Sequence, residues 1–289
     1  MARSEQEPAN AGTLYVVATP LGNLRDLSAR ALDTLRGVDV IAAEDTRVTA
    51  KLLAHYGVSA QLVSVHEHNE ARRAEEITLR LGQGKRVALV TDAGTPGVSD
   101  PGALVVRKAM EAGFAVVPIP GPNAAVTALS ASGIAAARWL FCGFLPSSAA
   151  ARRAEVERLR DVPFALVFYE APHRVMASIE AMVEAFGAAR EIVIARELTK
   201  RFESIHRCRL ADAPAWLAAD PDRIRGEFVL IVAAPEESKP DDAAHARVLS
   251  LLLAELPLAQ AVRLAVALTG APRKALYAEA LELRGRSKS

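Results

Sequence analysis

From Thr13 onward the chain alternates short β-rich runs with helical periodicities, and this alternation narrows the accessible folds more than any other feature. The β-rich runs of the first half are residues 14–18, 38–42, 61–65, 86–91 and 115–119. Most are apolar at successive positions, so both faces of each strand need cover, as in a parallel sheet with helices on either side. Helical patterns fill the gaps. Leu24, Leu27, Ala31, Leu32 and Leu35 share one stripe, with Gly37 as a stop. Asn69 has the character of an N-cap for a helix through Leu81, ended by Gly82 and Gly84. The pattern predicts a largely parallel α/β domain over residues 13–122.

A second α/β stretch is expected over 123–234, with strands at 140–145, 164–169, 191–195, 204–209 and 228–232. A charged helix at 151–160 and an amphipathic one at 175–186 lie between them. No long helix separates 204–209 from 228–232, which predicts a mixed sheet. At 235–243 the composition turns to Pro, Glu, Ser, Lys and Asp, the character of a linker. Three short helical patterns follow within 244–289, at 245–256, 258–269 and 273–283. Pro257 and Pro272 stand at or just before first-turn positions. An appendage of this size is compatible with a helix-turn-helix, and equally with a helical cap or a dimer contact. Residues 1–12 have the composition of a disordered tail. The expected class is therefore α/β: two α/β domains and a small C-terminal three-helix unit.

Composition excludes several function classes. A formal net charge of +1 over 289 residues leaves no global basic field, so any contact with nucleic acid must be local. The two cysteines, Cys142 and Cys208, form no CxxC pair and suit a reduced cytoplasm. No apolar run reaches the ~18 residues of a membrane helix. The cluster His66-Glu67-His68-Asn69-Glu70 lacks HExxH spacing, and no later His/Cys set completes a tetrahedral site, so no metal is expected. GxGxxG, GxxxxGK[ST] and GxSxG are all absent.

The chemistry gathers where strands end, the usual ligand side of an open α/β sheet. Thr19-Pro20-Leu21-Gly22-Asn23-Leu24 follows the first strand. Asp92-Ala93-Gly94-Thr95-Pro96-Gly97, then Ser99-Asp100-Pro101-Gly102, follows the fourth, and Pro120-Gly121-Pro122-Asn123 the fifth. In the second half, Tyr169-Glu170-Ala171-Pro172-His173-Arg174 closes a strand. Glycine and proline there fix loop shape and let backbone approach a small ligand. Glu44, Asp45 and Arg47 mark another strand end, fit either for a polar substrate or for a helix cap. Arg196, Lys200, Arg201, Arg207 and Arg209 form a local basic stretch, and Arg273, Lys274, Arg284, Arg286 and Lys288 a second one. Both suit phosphate contact, although a solvated strand edge or terminus accounts for them equally.

The ordered set Thr19–Leu24, Ala43-Glu44-Asp45-Thr46-Arg47, Asp92–Pro96 and Phe168–Arg174 resembles the bacterial small-subunit rRNA ribose 2′-O-methyltransferases of the tetrapyrrole-methylase-like superfamily. Pro120-Gly121-Pro122, Arg196-Glu197-Leu198-Thr199-Lys200 and Gly226-Glu227-Phe228 extend the likeness, which runs from Thr13 to Leu283. The resemblance implies two α/β domains with S-adenosylmethionine held in the cleft between them. It also implies a homodimer and, as substrate, a decoding-centre cytidine of 16S rRNA in the small ribosomal subunit. Cofactor contacts carried over are Pro20, Asp92, Gly94, Thr95, Pro96, Val98, Ala124, Ala125, Tyr169, Glu170, Glu227 and Phe228, with Asn123 beside them. Thr95 stands where superfamily relatives carry aspartate. Lys200 and Glu44 are the candidate catalytic residues, for receiving the hydroxyl proton or orienting the hydroxyl. Arg47, Arg196, Arg201, Arg273 and Lys274 are the candidate RNA contacts. Two rivals remain on the same residues: a small-molecule tetrapyrrole methylase, since fold does not decide substrate, and a non-catalytic ribosome assembly factor.

Overall fold

The structure, a computed structural model, describes residues 12–235 and 242–286, without side chains at 242–244, 246, 282 and 284–286. The tail expected at 1–12 falls outside the described residues but for Gly12, as do residues 236–241 of the linker expected at 235–243, whose last two residues belong to a helix, and the side chains of Arg284, Arg286 and Lys288. The chain divides into two compact units, Met1–Ala234 and Pro235–Ser289.

The first unit contains two five-stranded sheets. In the first, β1 (Thr13–Val17), β2 (Val40–Ala43), β3 (Gln61–Ser64), β4 (Val87–Val90) and β5 (Ala115–Ile119) are all parallel, in the order β3-β2-β4-β1-β5. The helices are α1 (Ala29–Gly37), α2 (Thr46–His55), α3 (Glu70–Gly82) and α4 (Ala103–Glu111). The period-2 alternation of strands divides the buried side chains between two cores. Val40, Ala42, Val87 and Leu89 pack with Ala74, Ile77, Leu81 and Val105 of α3 and α4. Ile41, Ala43, Ala88 and Val90 pack with Ala31, Leu35 and Leu53 of α1 and α2. Strands covered on both sides carry no polar face, hence the continuous apolar runs.

The helical stripe expected from Leu24 is interrupted. Leu24–Asp26 form a single 3₁₀ turn capped by Asn23, and α1 begins only after Ser28, whose hydroxyl accepts from the Ala31 amide at 3.1 Å. Two competent caps five residues apart break what periodicity alone joins. Asn69 stands at the start of α3, but its Oδ1 accepts from the His66 amide at 2.9 Å and makes no cap.

The second sheet contains β6 (Trp139–Phe144), β7 (Ala165–Glu170), β8 (Glu191–Arg196), β9 (Ser204–Arg209) and β10 (Phe228–Val232), in the order β6-β7-β10-β8-β9. It is mixed, as expected: β6 and β7 are parallel, and β10 runs antiparallel to both β7 and β8. One face packs on α6 (Ala149–Arg158), α7 (Val175–Phe186) and α8 (Ala213–Ala218), through Val156, Ile179, Met182 and Leu217. The other takes α5 (Ala124–Ala131), whose Ala125 and Ala128 lie on Val167, Val193 and Ile231. Small residues at those positions let α5 approach the sheet closely. Because β10 is antiparallel, its first residue, Phe228, pairs with the last residues of β7 and β8, Glu170 and Arg196.

The second unit comprises α9 (Asp242–Glu255), α10 (Leu258–Thr269) and α11 (Arg273–Arg286) around a small core of Leu249, Val262, Ala265, Leu276 and Ala280. Gly270 ends α10 in the left-handed conformation, at φ +70°. Among the described residues, no helix is long and apolar enough to cross a membrane.

One contact ties helix packing to the loop after β4. The α4 N-terminus starts at Gly102, which has no side chain to cap it; instead Glu70 Oε1, from the first turn of α3, accepts from the amides of Gly102 and Leu104 at 2.9 Å each. Glu70→Ala is expected to lower the unfolding free energy by about 1–2 kcal/mol in urea titrations, the scale of a lost cap. A loss below ~0.3 kcal/mol would show that water caps α4 as well as Glu70 does.

Candidate functional site

The strand ends of both sheets meet at one cavity of about 400 Å³. From the first sheet come Leu21 after β1, Glu44 after β2, and Asp92, Ala93, Gly94, Thr95, Val98 and Asp100 after β4. Asn123 and Ala124 reach it after β5. The second sheet supplies Phe144 at the end of β6, Tyr169, Glu170, Ala171 and Pro172 at the end of β7, Leu198 after β8, and Glu227, Phe228 and Val229 at the start of β10.

Hydrogen bonds lock these loops together. Thr19 and Gly94 exchange backbone bonds at 2.8 and 3.0 Å, and the buried Thr19 hydroxyl donates to the Thr91 carbonyl at 3.0 Å. Gly94 has φ +87°, a conformation that side-chain-bearing residues rarely adopt. The Thr95 hydroxyl donates to the Pro122 carbonyl at 2.9 Å, so the residue standing in place of an aspartate stitches two loops without charge. Across the cavity, the Ala125 amide donates to the Tyr169 hydroxyl at 3.2 Å.

The wall formed by the first sheet is acidic. Glu44 accepts from the Asp92 amide at 3.3 Å, and Asp92 accepts from the Asp45 amide at 3.0 Å. Burial raises the Glu44 and Asp92 carboxyls above their ordinary values against those amide bonds. Burial also lifts Asp100, to about 6, with Glu44 and Asp92 adding repulsion. Such a wall favours a cationic guest. The apolar lining of Leu21, Val98, Leu198, Phe228 and Val229 suits a flat or aliphatic part of the same guest.

Of the candidate cofactor contacts, Asp92, Gly94, Thr95, Val98, Ala124, Tyr169, Glu170, Glu227 and Phe228 line the cavity. Pro20, Pro96 and Ala125 do not; all three are buried behind the wall. The Glu170 carboxylate is already committed. Its Oε2 accepts from Ser178 at 2.5 Å, while Oε1 accepts from the Ala171 amide at 2.9 Å and faces Arg174 Nε at 3.3 Å.

Glu44 lines the cavity as proposed, but Lys200 does not. Its ammonium is held between Glu197 Oε1 at 2.8 Å and Glu227 Oε2 at 2.9 Å. Burial lowers the Lys200 pKa, but the two carboxylates outweigh it and hold the group above its ordinary value. The ammonium keeps its proton more firmly than a free lysine, and its two carboxylate partners fix its position. A Cβ on Gly22 would lie 2.3 Å from Lys200 Cγ, and one on Gly226 would lie 2.4 Å from Glu197 Cγ, so both glycines make room for this ion cluster.

The candidate RNA contacts divide. Arg47 is highly exposed and paired with Asp45, whose carboxyl it holds down at about 2. Arg201 is exposed beside the Phe202 ring, 5.6 Å from its centroid. Arg196 is turned inward, donating to Ser204 Oγ and to the carbonyls of Asp222, Arg225 and Phe202 at 3.0–3.3 Å. Its guanidinium organises a loop. Arg273 and Lys274 are exposed at the start of α11. Among the described residues, no group of three or more His, Cys, Asp or Glu is placed to hold a metal ion. Leu21, Ala93, Asp100, Ala171, Pro172 and Leu198 lay in the recognised loops, and Phe144 and Val229 in expected strands, but only the fold shows that they face the cavity.

Comparison with known proteins agrees with this geometry. The family described as Tetrapyrrole (Corrin/Porphyrin) Methylases matches residues 13–214, and the RsmI C-terminal HTH domain matches 239–284. A Pseudomonas aeruginosa protein named ribosomal RNA small subunit methyltransferase I is 48% identical over 281 residues, covering 96% of this chain and 100% of that one. A protein of the same name from Escherichia coli O157:H7 is 48% identical over 277 residues, covering 95% and 96%. Among solved structures, uroporphyrin-III-C-methyltransferase from Thermus thermophilus aligns with a TM-score of 0.54 at 20% identity, over 77% of this chain and 94% of that one. The methyltransferase CobJ aligns at 0.57 and 19%, over 78% and 95%. At such identity these two speak to the fold alone.

The Glu197–Lys200–Glu227 cluster gives a pH signature. Burial raises the Glu197 carboxyl, yet Lys200 and the Glu227 amide outweigh it and hold it below 4.5, its ordinary value. Its stabilising contribution is therefore present above pH 4.5 and lost as pH falls through the lowered value. That of Lys200 is present below pH 10.5 and lost as pH rises through its raised value. The stability difference between wild type and Lys200→Met should form a plateau at neutral pH and shrink at both extremes in thermal melts. A difference independent of pH would show that packing of the lysine stem, not charge, is what matters.

Proposed function

Because the chain belongs to the tetrapyrrole methylase family, and within it to the ribosomal RNA small subunit methyltransferase I proteins, we propose that it methylates a ribose 2′-hydroxyl of a decoding-centre cytidine in 16S rRNA, with S-adenosylmethionine as donor. The observation that carries this is the cavity itself: carboxylates on one wall, apolar side chains and backbone on the other, and loops from both sheets closing it.

The residues fit the donor. Its cationic centre would face Glu44 and Asp92, and its base would lie among Val98, Leu198, Phe228 and Val229, with Gly94, Ala124 and Tyr169 shaping the walls. When bound, S-adenosylmethionine supplies a methyl group already activated by its sulfonium, so the protein's main contribution is alignment and exclusion of water. Thr19, Gly94 and Thr95 hold one wall, and Tyr169 sets its distance from the other. Lys200 fixes Glu227 at the rim.

The substrate reading rests on surface chemistry as well as kinship. Phe144 lines the cavity yet is 52% exposed, with Tyr169 edge-on at 5.7 Å. A free ring at a cavity mouth is a stacking surface for an unstacked base, the usual way single-stranded RNA is read. Arg47 and Arg201, together with Arg273 and Lys274 of the helix-turn-helix unit, are the groups available for phosphates. A homodimer acting in the cytoplasm is part of the same proposal.

Calorimetric titration with S-adenosylmethionine, followed by transfer of tritiated methyl to purified small ribosomal subunits or to uroporphyrinogen, tests the whole. Donor binding with label in the RNA ribose is expected. No binding would favour an assembly factor, and label in the tetrapyrrole would favour the small-molecule reading. Phe144→Ala should weaken RNA binding by about 1–3 kcal/mol, the worth of one stacked base, and leave donor affinity unchanged. A loss of donor affinity instead would place the ring against the donor.

A further inference from the structure

The acidic wall contains one group to which the alignment described above gives no task of its own. Asp100 lies in the cavity at the centre of a loop that is clamped on several sides. On its C-terminal side, Glu70 holds the Gly102 and Leu104 amides. On its N-terminal side, Ser99 sits at φ +63°, a left-handed conformation for a residue with a side chain, between Gly97 at φ +79° and Gly102 at φ +133°. Across from it, the Ser99 hydroxyl lies 3.1 Å from where a Cβ on Gly143 would stand, against the irregularity in β6 between Phe141 and Gly143. Strain held in place from both sheets is found where a side chain must be aimed.

The neighbouring carboxylates are otherwise engaged. Glu44 accepts the Asp92 amide and Asp92 accepts the Asp45 amide. Thr91 lies beside Asp100, its hydroxyl donating to the Ala93 carbonyl at 3.3 Å. The titratable groups that face it are Glu44 after β2, Asp92 after β4 and Tyr169 at the end of β7. None is cationic. A half-buried carboxylate among like charges takes up a proton readily, and at about 6 its value lies near working pH, as a general base requires. Lys200 is held by Glu197 and Glu227 and is not among the cavity's lining residues.

We propose that Asp100 is the general base that receives the proton of the substrate hydroxyl. The inference rests on the ribose methylation proposed above. In the step, the hydroxyl oxygen forms the new C–O bond with the donated methyl, the S–C bond breaks with its electron pair left on sulfur, and the O–H proton passes to an Asp100 carboxylate oxygen. The proton then leaves to solvent as the site opens.

The test uses the full chain and Asp100→Asn. Donor affinity by calorimetry should stay within about threefold of wild type, while the single-turnover rate on small subunits falls by about 10²-fold or more. The wild-type rate should climb with pH and level off above about 6, and the variant should lose that limb. A readout without turnover accompanies these. A carboxyl raised by folding stabilises the fold below its unfolded value of 3.8 and loses that contribution as pH rises through about 6. The substituted amide carries no charge, so the variant should melt higher than wild type at pH 8, with the gap closing by pH 4. Unchanged single-turnover rate in the variant, or a wild-type rate flat from pH 5 to 8, would overturn the assignment. So would loss of donor binding in the variant, which would make Asp100 a donor contact. Failure of the wild type itself to bind donor would instead bring down the reading beneath it.

Discussion

Thr19 and Gly94 exchange a pair of backbone hydrogen bonds, and every other feature of the site is placed relative to that bridge. The first sheet changes direction between β1 and β4: the chain leaves β1 toward β2 on one side and leaves β4 toward β5 on the other. A parallel sheet opens a crevice at such a point. The bridge spans that crevice at its base and keeps it from widening, and the left-handed Gly94 makes the required turn without strain. Thr95, Pro122 and then α5 follow from it, and α5 carries the second sheet through its alanine face. The antiparallel entry of β10 then brings Glu227 and Phe228 to the same edge as the ends of β7 and β8.

Charge is distributed to match. Glu44, Asp92 and Asp100 line the cavity with no lysine or arginine among the lining residues, whereas Arg47 and Arg201 lie on the surface. The cavity therefore favours a cation. Lys200 sits between two carboxylates. Its ammonium neutralises Glu197 and Glu227 at the rim, and two glycines are needed to admit the cluster.

Most of the first sheet was legible because its strands are apolar on both faces, a pattern that polar-faced strands cannot imitate. The mixed second sheet was legible from the absence of a long helix between 204–209 and 228–232, where the only α-helix is the six-residue α8. The N-terminal stripe misled because Leu24 and Leu27 keep helical spacing across a break set by Asn23 and Ser28, and spacing carries no information about which cap the backbone uses. The same limit applies to the site. Motif residues such as Asp92, Thr95 and Tyr169 could be named from their order, whereas Lys200 looked like a base until its two carboxylate partners, one 27 residues away, were seen. Asp100 and Phe144 acquire meaning only from what surrounds them, Asp100 from its charged and phenolic neighbours and Phe144 from an open cavity mouth. Pro20 and Pro96 sit in motif loops and Ala125 in the first turn of α5, yet all three are buried outside the lining, since a motif mixes residues that face a ligand with residues that hold the turn.

Strand ends from two sheets lining one cavity predict a single binding site for the methyl donor. Hydrogen–deuterium exchange with and without S-adenosylmethionine addresses it directly. Joint protection of residues 92–98, 123–126, 169–172 and 227–229 is the predicted result. Protection confined to the loops of one sheet, or lying elsewhere in the chain, would contradict it.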